Sequence, residues 1–192
     1  MADAIVDGYP VVLRVAGRRV LVVGGGAVAA RKAVGLAGAG ALVTVVAPTV
    51  DPSIEAIPGI RVERRPYRSG DLDGYRLVIA ATDDEAVQQQ VFDDGEAAGV
   101  WVNAADDPDR CSFILPAIER RGPVIIAVST QGASPALAGH LRDRLAAALP
   151  ANIEEVADEL AAQRRQIRAD GGSTEDYDWK ARIVEVFERF AG

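Results

Sequence analysis

The chain has 192 residues, 49% of them apolar, with a formal net charge of −7 and a single cysteine, Cys111. That length accommodates one large domain or two small ones with a sizeable core. The acidic balance argues against general nucleic-acid binding, which needs a basic face, and one cysteine excludes an intramolecular disulfide or a multi-cysteine metal cluster and suits a reducing compartment.

The opening residues, MADAIVDGYP, carry neither a basic n-region nor an apolar h-region. No apolar run approaches the ~20 residues of a membrane span. A soluble, cytoplasmic protein with no membrane or nucleic-acid partner is expected. Tyr9 to Ala16 reads as a short strand-like segment broken by Gly17. The apolar run Val20–Val23 follows, then Gly24, Gly25 and Gly26, then a small-residue helical stretch containing Arg31 and Lys32. Gly24-x-Gly26-x-x-Ala29 matches the dinucleotide fingerprint with alanine in the last place. Gly24 permits a tight strand-to-helix turn, and Gly26 has no Cβ to block a pyrophosphate. Ala29 lets the helix lie close on the strand, and the helix N-terminus offers free N–H groups to phosphates.

Gly38-Ala39-Gly40 closes that helix, and Leu42 to Ala47 forms the second strand. The acid that bonds the ribose diol in many NAD enzymes belongs at its end, where Ala47-Pro48-Thr49 stands instead. This motif therefore does not decide between NAD and NADP. Ile60–Glu63, Leu77–Ala81 and Val100–Ala104 are further strands, and Asp84 to Ala98 is a helix with Val87 and Val91 on one face. Strands alternating with helices imply an α/β fold, a doubly wound parallel sheet with its ligand crevice off the carboxyl ends of the strands. Gly24–Gly26, Pro48, Thr82-Asp83 and Asn103–Asp106 all fall at such ends.

Beyond Pro108 the pattern changes. Ser112–Ile118 and Val124–Val128 are strand-like, with the turn Glu119–Pro123 between them too short for a crossover helix, so a β-hairpin is expected. Ser134 is suited to cap, and Pro135 to start, a helix on which Leu137, Leu141, Leu145 and Leu149 recur every fourth residue. With Ala138 and Ala148 these leucines form a broad apolar face. Ala151 onward is helical. It breaks at Asp170-Gly171-Gly172 and restarts at a capping-box-like Ser173-x-x-Asp176, with Trp179, Ile183, Val186, Phe187 and Phe190 on one face. These helices are too short for a large core of their own and should pack on the rest of the chain or on a second copy.

Asp106 is the main candidate for chemistry. Two readings fit it: a general base tuned by burial, or an Asx-turn in Asp106-Asp107-Pro108. Asp83 and Asp84 suit an N-cap. Ser129, Thr130 and Ser134 lie in a polar turn with no histidine spaced as a partner base, which argues against serine-hydrolase chemistry. His140 lies off the leucine stripe, and one histidine with one cysteine makes no standard transition-metal site. Cys111, Tyr9, Trp101 and Trp179 read as core. Arg110, Arg120, Arg121, Arg142 and Arg144 are available to pair with carboxylates or are plain surface charge.

The segments VLVVGGGAVAARKA, VIAATDD, VNAADDPDRCSFILPAI and RRGPVIIAVSTQGASPALA, in that order, resemble the precorrin-2 dehydrogenase family. That family includes the N-terminal module of siroheme synthase and stand-alone relatives, and the likeness runs from about Tyr9 to Pro150. It implies three parts: a Rossmann-like NAD-binding domain over 1–111, a dimerisation segment over 112–149 and a helical C-terminal domain over 150–192. It implies a homodimer that oxidises precorrin-2, a tetrapyrrole, to sirohydrochlorin with NAD, and in many members inserts Fe²⁺ to give siroheme. The chain has no room for the methyltransferase domain of fused synthases, so it is not expected to make precorrin-2.

Carried over by motif, cofactor contacts fall on Gly24, Gly25, Gly26, Ala27, Val28, Pro48, Thr49, Asp83 and Asn103. The catalytic aspartate of the Asn-x-x-Asp motif is Asp106, which also becomes a transient Fe²⁺ contact with no permanent metal site. The hydroxyl that many members carry as serine in an SSGG-like turn is Thr130 here. Arg110, Arg120 and Arg142 become candidates for the eight substrate carboxylates. The alternatives are a dehydrogenase without chelatase activity, or a non-catalytic NAD-binding sensor whose C-terminal helices contact a partner.

Overall fold

The apolar runs Val20–Val23, Leu42–Val46, Leu77–Ala80 and Val102–Ala104 become largely buried strand residues, because β-branched residues on both faces of a sheet are covered when a layer packs on each side. The computed structural model describes residues 8–175 and 177–190 and divides into two units, residues 1–115 and 116–192. In the first unit β1 (Arg19–Val23), β2 (Leu42–Val46), β3 (Arg61–Glu63), β4 (Leu77–Ala80) and β5 (Trp101–Ala104) form one sheet in the order β3-β2-β1-β4-β5. All four pairings are parallel. Strand order therefore reverses between β1 and β4, and the crevice of a doubly wound sheet lies at their carboxyl ends.

Alternation along the strands splits the core in two. Val22, Val43 and Val45 pack with Ala29 and Ala33 of α1 (Ala27–Gly38) and Ile54 of α2 (Pro52–Glu55). Leu21, Val23, Val78 and Val102 pack with Val91 of α3 (Glu85–Ala98) and with Tyr67 and Leu72 of the connection between β3 and β4. Close approach of α3 to the sheet depends on Gly95, where a Cβ would stand 2.2 Å from Val102 Cγ2.

Two elements differ from expectation in this unit. Residues 9–15 form no strand: among the described residues their nearest ladder-like link is Gly17 N–H to the Gly40 carbonyl, and Tyr9 is exposed rather than core. Both sides of β1 are already occupied by β2 and β4. The four-residue α2 was not anticipated. Asp51 caps it by accepting from the Ser53 N–H, and Pro52 starts it.

In the second unit β6 (Ala117–Arg121) and β7 (Val124–Val128) form an antiparallel hairpin, followed by α4 (Pro135–Ala147), α5 (Ile153–Ala169) and α6 (Trp179–Phe190). The first strand starts and ends later than the sequence pattern implied. Gly122, at φ +52, and Pro123 alone make the turn, so Glu119–Arg121 join the ladder instead of looping. α4 packs on the hairpin, but its buried residues are Ala138 and Ala146, with half-buried Arg142 between them. Leu137, Leu141 and Leu145 are 48%, 38% and 50% exposed. The expected apolar face is thus present, but the stripe of small residues beside it makes the packed surface, because alanines let the helix lie close. Gly171, at φ +77, ends α5 as expected. Of the capping-box-like Ser173-x-x-Asp176, Asp176 lies outside the described residues; Ser173 Oγ accepts from the Glu175 N–H.

Candidate active site

Three backbone loops meet at the carboxyl edge of the sheet, and the glycines decide how closely. Gly24 is buried at φ +121, and a Cβ there would lie 2.0 Å from the Ala81 carbonyl oxygen. A Cβ on Gly25 would lie 1.9 Å from the Thr49 carbonyl oxygen. The Asp51 N–H donates to the Gly25 carbonyl at 2.7 Å, the Gly24 N–H to Val46 at 3.0 Å, and the Ala81 N–H to Val23 at 2.7 Å. Gly26 is different: it is exposed, has an ordinary φ of −85° and would present a Cβ to open space. It is also the N-cap of α1 and brings no side-chain oxygen to the first-turn N–H groups. Gly24 and Gly25 therefore shape the turn, while Gly26 keeps its outer surface clear. An exposed glycine before an uncapped helix N-terminus leaves N–H groups open to an anion. Ala27 and Thr49 are exposed beside it, as is Pro48, and Val28 is half-buried.

Asp83 and Asp84 follow β4. Asp84 caps α3, accepting from the Ala86 and Val87 N–H groups, whereas Asp83 is exposed and makes no hydrogen bond among the described residues. Beyond β5, Asn103 is buried and its amide donates to the Phe113 carbonyl at 2.9 Å and toward Cys111 Sγ at 3.4 Å. The chain returns alongside β5 through the bridge Asn103–Cys111 and the bond from Ser112 N–H to the Val102 carbonyl. Asn103 thus fixes the loop that carries Asp106. Asp106 itself is exposed, stands in the left-handed region at φ +63, and forms no side-chain hydrogen bond among the described residues. The Asx-turn reading does not describe it.

Asp107 pairs with Arg110, which also donates to Gln89 at 2.8 Å. Cys111 is half-buried, not core, with Sγ within reach of the Ala104 and Asp107 carbonyls. Burial pushes its thiol up, against the lowering effect of the Ala104 carbonyl contact, and nearby Asp107 adds to the rise, which disfavours the thiolate. Trp101 is 47% exposed at the start of β5, away from the carboxyl edge, rather than core. Lys32, which the sequence reading passed over, is half-buried on α1. Burial, then Arg31, push its ammonium below its ordinary value, while Asp106 and Cys111 pull it back up. The signal for it was its place beside the buried positions of α1.

In the second unit Thr130 Oγ1 donates to the Ser134 carbonyl and accepts from the Ser134 N–H, both at 3.0 Å, closing the turn before α4. Ser134 Oγ caps that helix by accepting from Leu137 N–H. Arg142 pairs with Asp143 at 2.6 Å, and Arg120 is exposed on β6. His140 is exposed. Trp179 is half-buried, its indole N–H donating to the Thr174 carbonyl.

A parallel sheet with this glycine turn at its switch point defines a dinucleotide-binding domain of the Rossmann type. Residues 11–117 match the family described as putative NAD(P)-binding, and residues 121–148 the family described as sirohaem biosynthesis protein, central. The chain is 44% identical over 163 residues to the siroheme synthase of Tolumonas auensis, covering 84% of this chain and 35% of that protein. It is 42% identical over 195 residues to the siroheme synthase of Gluconacetobacter diazotrophicus, covering 97% and 41% respectively. The chain thus spans about a third to two fifths of the length of these relatives. The solved structure of SirC, precorrin-2 dehydrogenase, superposes with a TM-score of 0.70 at 32% identity, covering 94% of this chain and 88% of that one. The chain belongs to the family formed by the N-terminal module of siroheme synthases and the precorrin-2 dehydrogenase SirC. No helix among the described residues is long and apolar enough to cross a membrane.

The different duties of the glycines are separable. Gly24→Ala should lose about 2 kcal/mol or more of stability, because it combines a left-handed backbone with a backbone clash. Gly26→Ala should change stability by under about 1 kcal/mol yet weaken dinucleotide binding at least about tenfold, roughly 1.4 kcal/mol. Urea unfolding and calorimetric titration of both variants test this; equal affinity for Gly26→Ala and wild type would contradict it.

Proposed function

We propose that this chain oxidises precorrin-2 to sirohydrochlorin with NAD⁺ and also inserts Fe²⁺ into the product. The observation that carries the reading is Asp106: an exposed carboxylate with no hydrogen-bond partner among the described residues, held by a left-handed residue at the same sheet edge as the glycine turn. Family membership supports the substrate. When bound, NAD⁺ supplies the hydride acceptor. Gly24 and Gly25 hold the turn, Gly26 and the first-turn N–H groups of α1 receive the pyrophosphate, and Ala27, Val28, Pro48 and Thr49 flank it. Asp83 and Asn103 complete the cofactor wall, Asn103 by fixing the loop after β5.

Oxidation of the reduced macrocycle removes a hydride and a proton. Asp106 takes the proton, as a carboxylate in reach of solvent can pass it on. In chelation two pyrrole N–H protons must leave as Fe²⁺, a substrate here, enters the ring. Asp106 accepts protons and offers the cation an oxygen ligand on the way in. Thr130 acts by keeping the turn before α4 closed. Among the arginines, Arg120 is exposed and has no ion pair among the described residues, so it is the readiest to receive a substrate carboxylate; Arg110 and Arg142 would have to share theirs with Asp107 and Asp143.

The exposed Leu137, Leu141 and Leu145, with Ile118 at 49% exposure, support a homodimer through the second unit. Such a patch is covered at a gain of about 25 cal/mol per Å² buried.

Asp106→Asn tests the chemistry, since asparagine tolerates the left-handed backbone. It should lower kcat for precorrin-2 oxidation at least about a hundredfold, with NAD⁺ affinity within twofold of wild type. Unchanged turnover would remove the assigned role. Wild-type protein given sirohydrochlorin and Fe²⁺ anaerobically, without NAD⁺, should form siroheme faster than the protein-free control; equal rates leave a dehydrogenase alone. Leu141→Asp should convert a dimer to a monomer in sedimentation velocity, and a dimer that persists would locate the interface elsewhere.

A further inference from the structure

α1 turns about 100° per residue. Ala29 and Ala33 are fully buried, and Leu36 packs on the same cluster, so these three mark the centre of its inward stripe. Ala30 and Ala37 lie on one flank of that stripe and pack against the cluster that includes Ile54 of α2. Lys32 lies about a quarter turn to the other flank, which faces away from α2 along the sheet, toward β4 and β5. A second observation agrees. The Asp106 carboxylate, beyond the end of β5, lies near enough to favour the charged form of Lys32. Lys32 and Asp106 therefore stand on opposite banks of the same crevice.

A half-buried ammonium is normally matched by a carboxylate, because burial without a partner is costly. Among the described residues no carboxylate lies within ion-pair distance of Lys32, although ten such pairs form elsewhere in the chain. Exposed Arg31 adds positive charge next to it. The crevice thus keeps one cation unmatched across from its proton acceptor. We propose that Lys32 binds one carboxylate of the substrate and so turns the reacting edge of the macrocycle toward Asp106. This rests on the tetrapyrrole reading above. It gives the acidic chain a local point of attraction for a polyanion. It also accounts for a half-buried ammonium with no direct ion pair among the described residues: the partner arrives with the substrate.

The test is the affinity for sirohydrochlorin, followed by absorbance, in wild type, Lys32→Met and Lys32→Arg, with NAD⁺ affinity measured in parallel. Methionine keeps the length and apolar stem, and arginine keeps the charge. A charge-assisted hydrogen bond lost from the site should weaken sirohydrochlorin binding about tenfold to a hundredfold in Lys32→Met. Lys32→Arg should return it to within about threefold, and NAD⁺ affinity should stay within twofold in both. KM for precorrin-2 should rise in Lys32→Met more than kcat falls. Sirohydrochlorin affinity unchanged in Lys32→Met, or NAD⁺ affinity falling in step with it, overturns the assignment while leaving the dehydrogenase reading intact. Wild-type protein that neither binds sirohydrochlorin nor oxidises precorrin-2 overturns both.

Discussion

The loops leaving β1, β2 and β4 touch backbone to backbone, and no side chain could be inserted where they do. The Ala81 and Thr49 carbonyls sit where a Cβ of Gly24 or Gly25 would be. The Asp51 N–H closes the arrangement on the Gly25 carbonyl. This close approach ties the ends of three strands into one edge. It sets where α1 begins, and with it the direction of the free N–H groups and the place of Lys32. The glycines of a dinucleotide turn are commonly described by what they leave open for the ligand. Here two of the three serve the protein's own packing, and only Gly26 serves the outer surface.

Charge is managed locally rather than by the total. The chain is acidic, and many of its arginines are already paired, as in Arg65 with Glu63 and Asp71 or Arg110 with Asp107. Such pairs near the surface contribute little to stability individually, but they lower the positive potential available to an anionic ligand. Cations with no ion pair among the described residues, such as Lys32 and Arg120, are therefore the ones on which the proposed recognition of a polyanion rests.

Much of the first unit was legible in the sequence, because its signals are local. Short β-branched runs bounded by glycines and turns favour buried strands, and the glycine fingerprint and Asp84 each sit where backbone groups need what they offer. Residues 9–15 were misread because alternation marks a strand only if a sheet edge is free to receive it. The hairpin boundary moved because Gly122 makes a two-residue turn that charge-rich Glu119-Arg120-Arg121 disguised. The leucine stripe of α4 was seen, but periodicity alone does not reveal which of two adjacent apolar stripes faces inward. Asp106 was found by its place after a strand. Lys32 was not, since its significance depends on a loop more than seventy positions away that only the fold brings near.

The backbone at Asp106 sets durability against usefulness at a single position. A left-handed residue other than glycine carries a conformational penalty on the order of 1 kcal/mol, and its exposed carboxylate recovers none of it through a hydrogen bond among the described residues. A glycine there would relax the loop and make a sturdier protein. Lineages in which the acid has no task would thus drift downhill toward glycine, and what sits at this site becomes a record of whether the chain still works for its living.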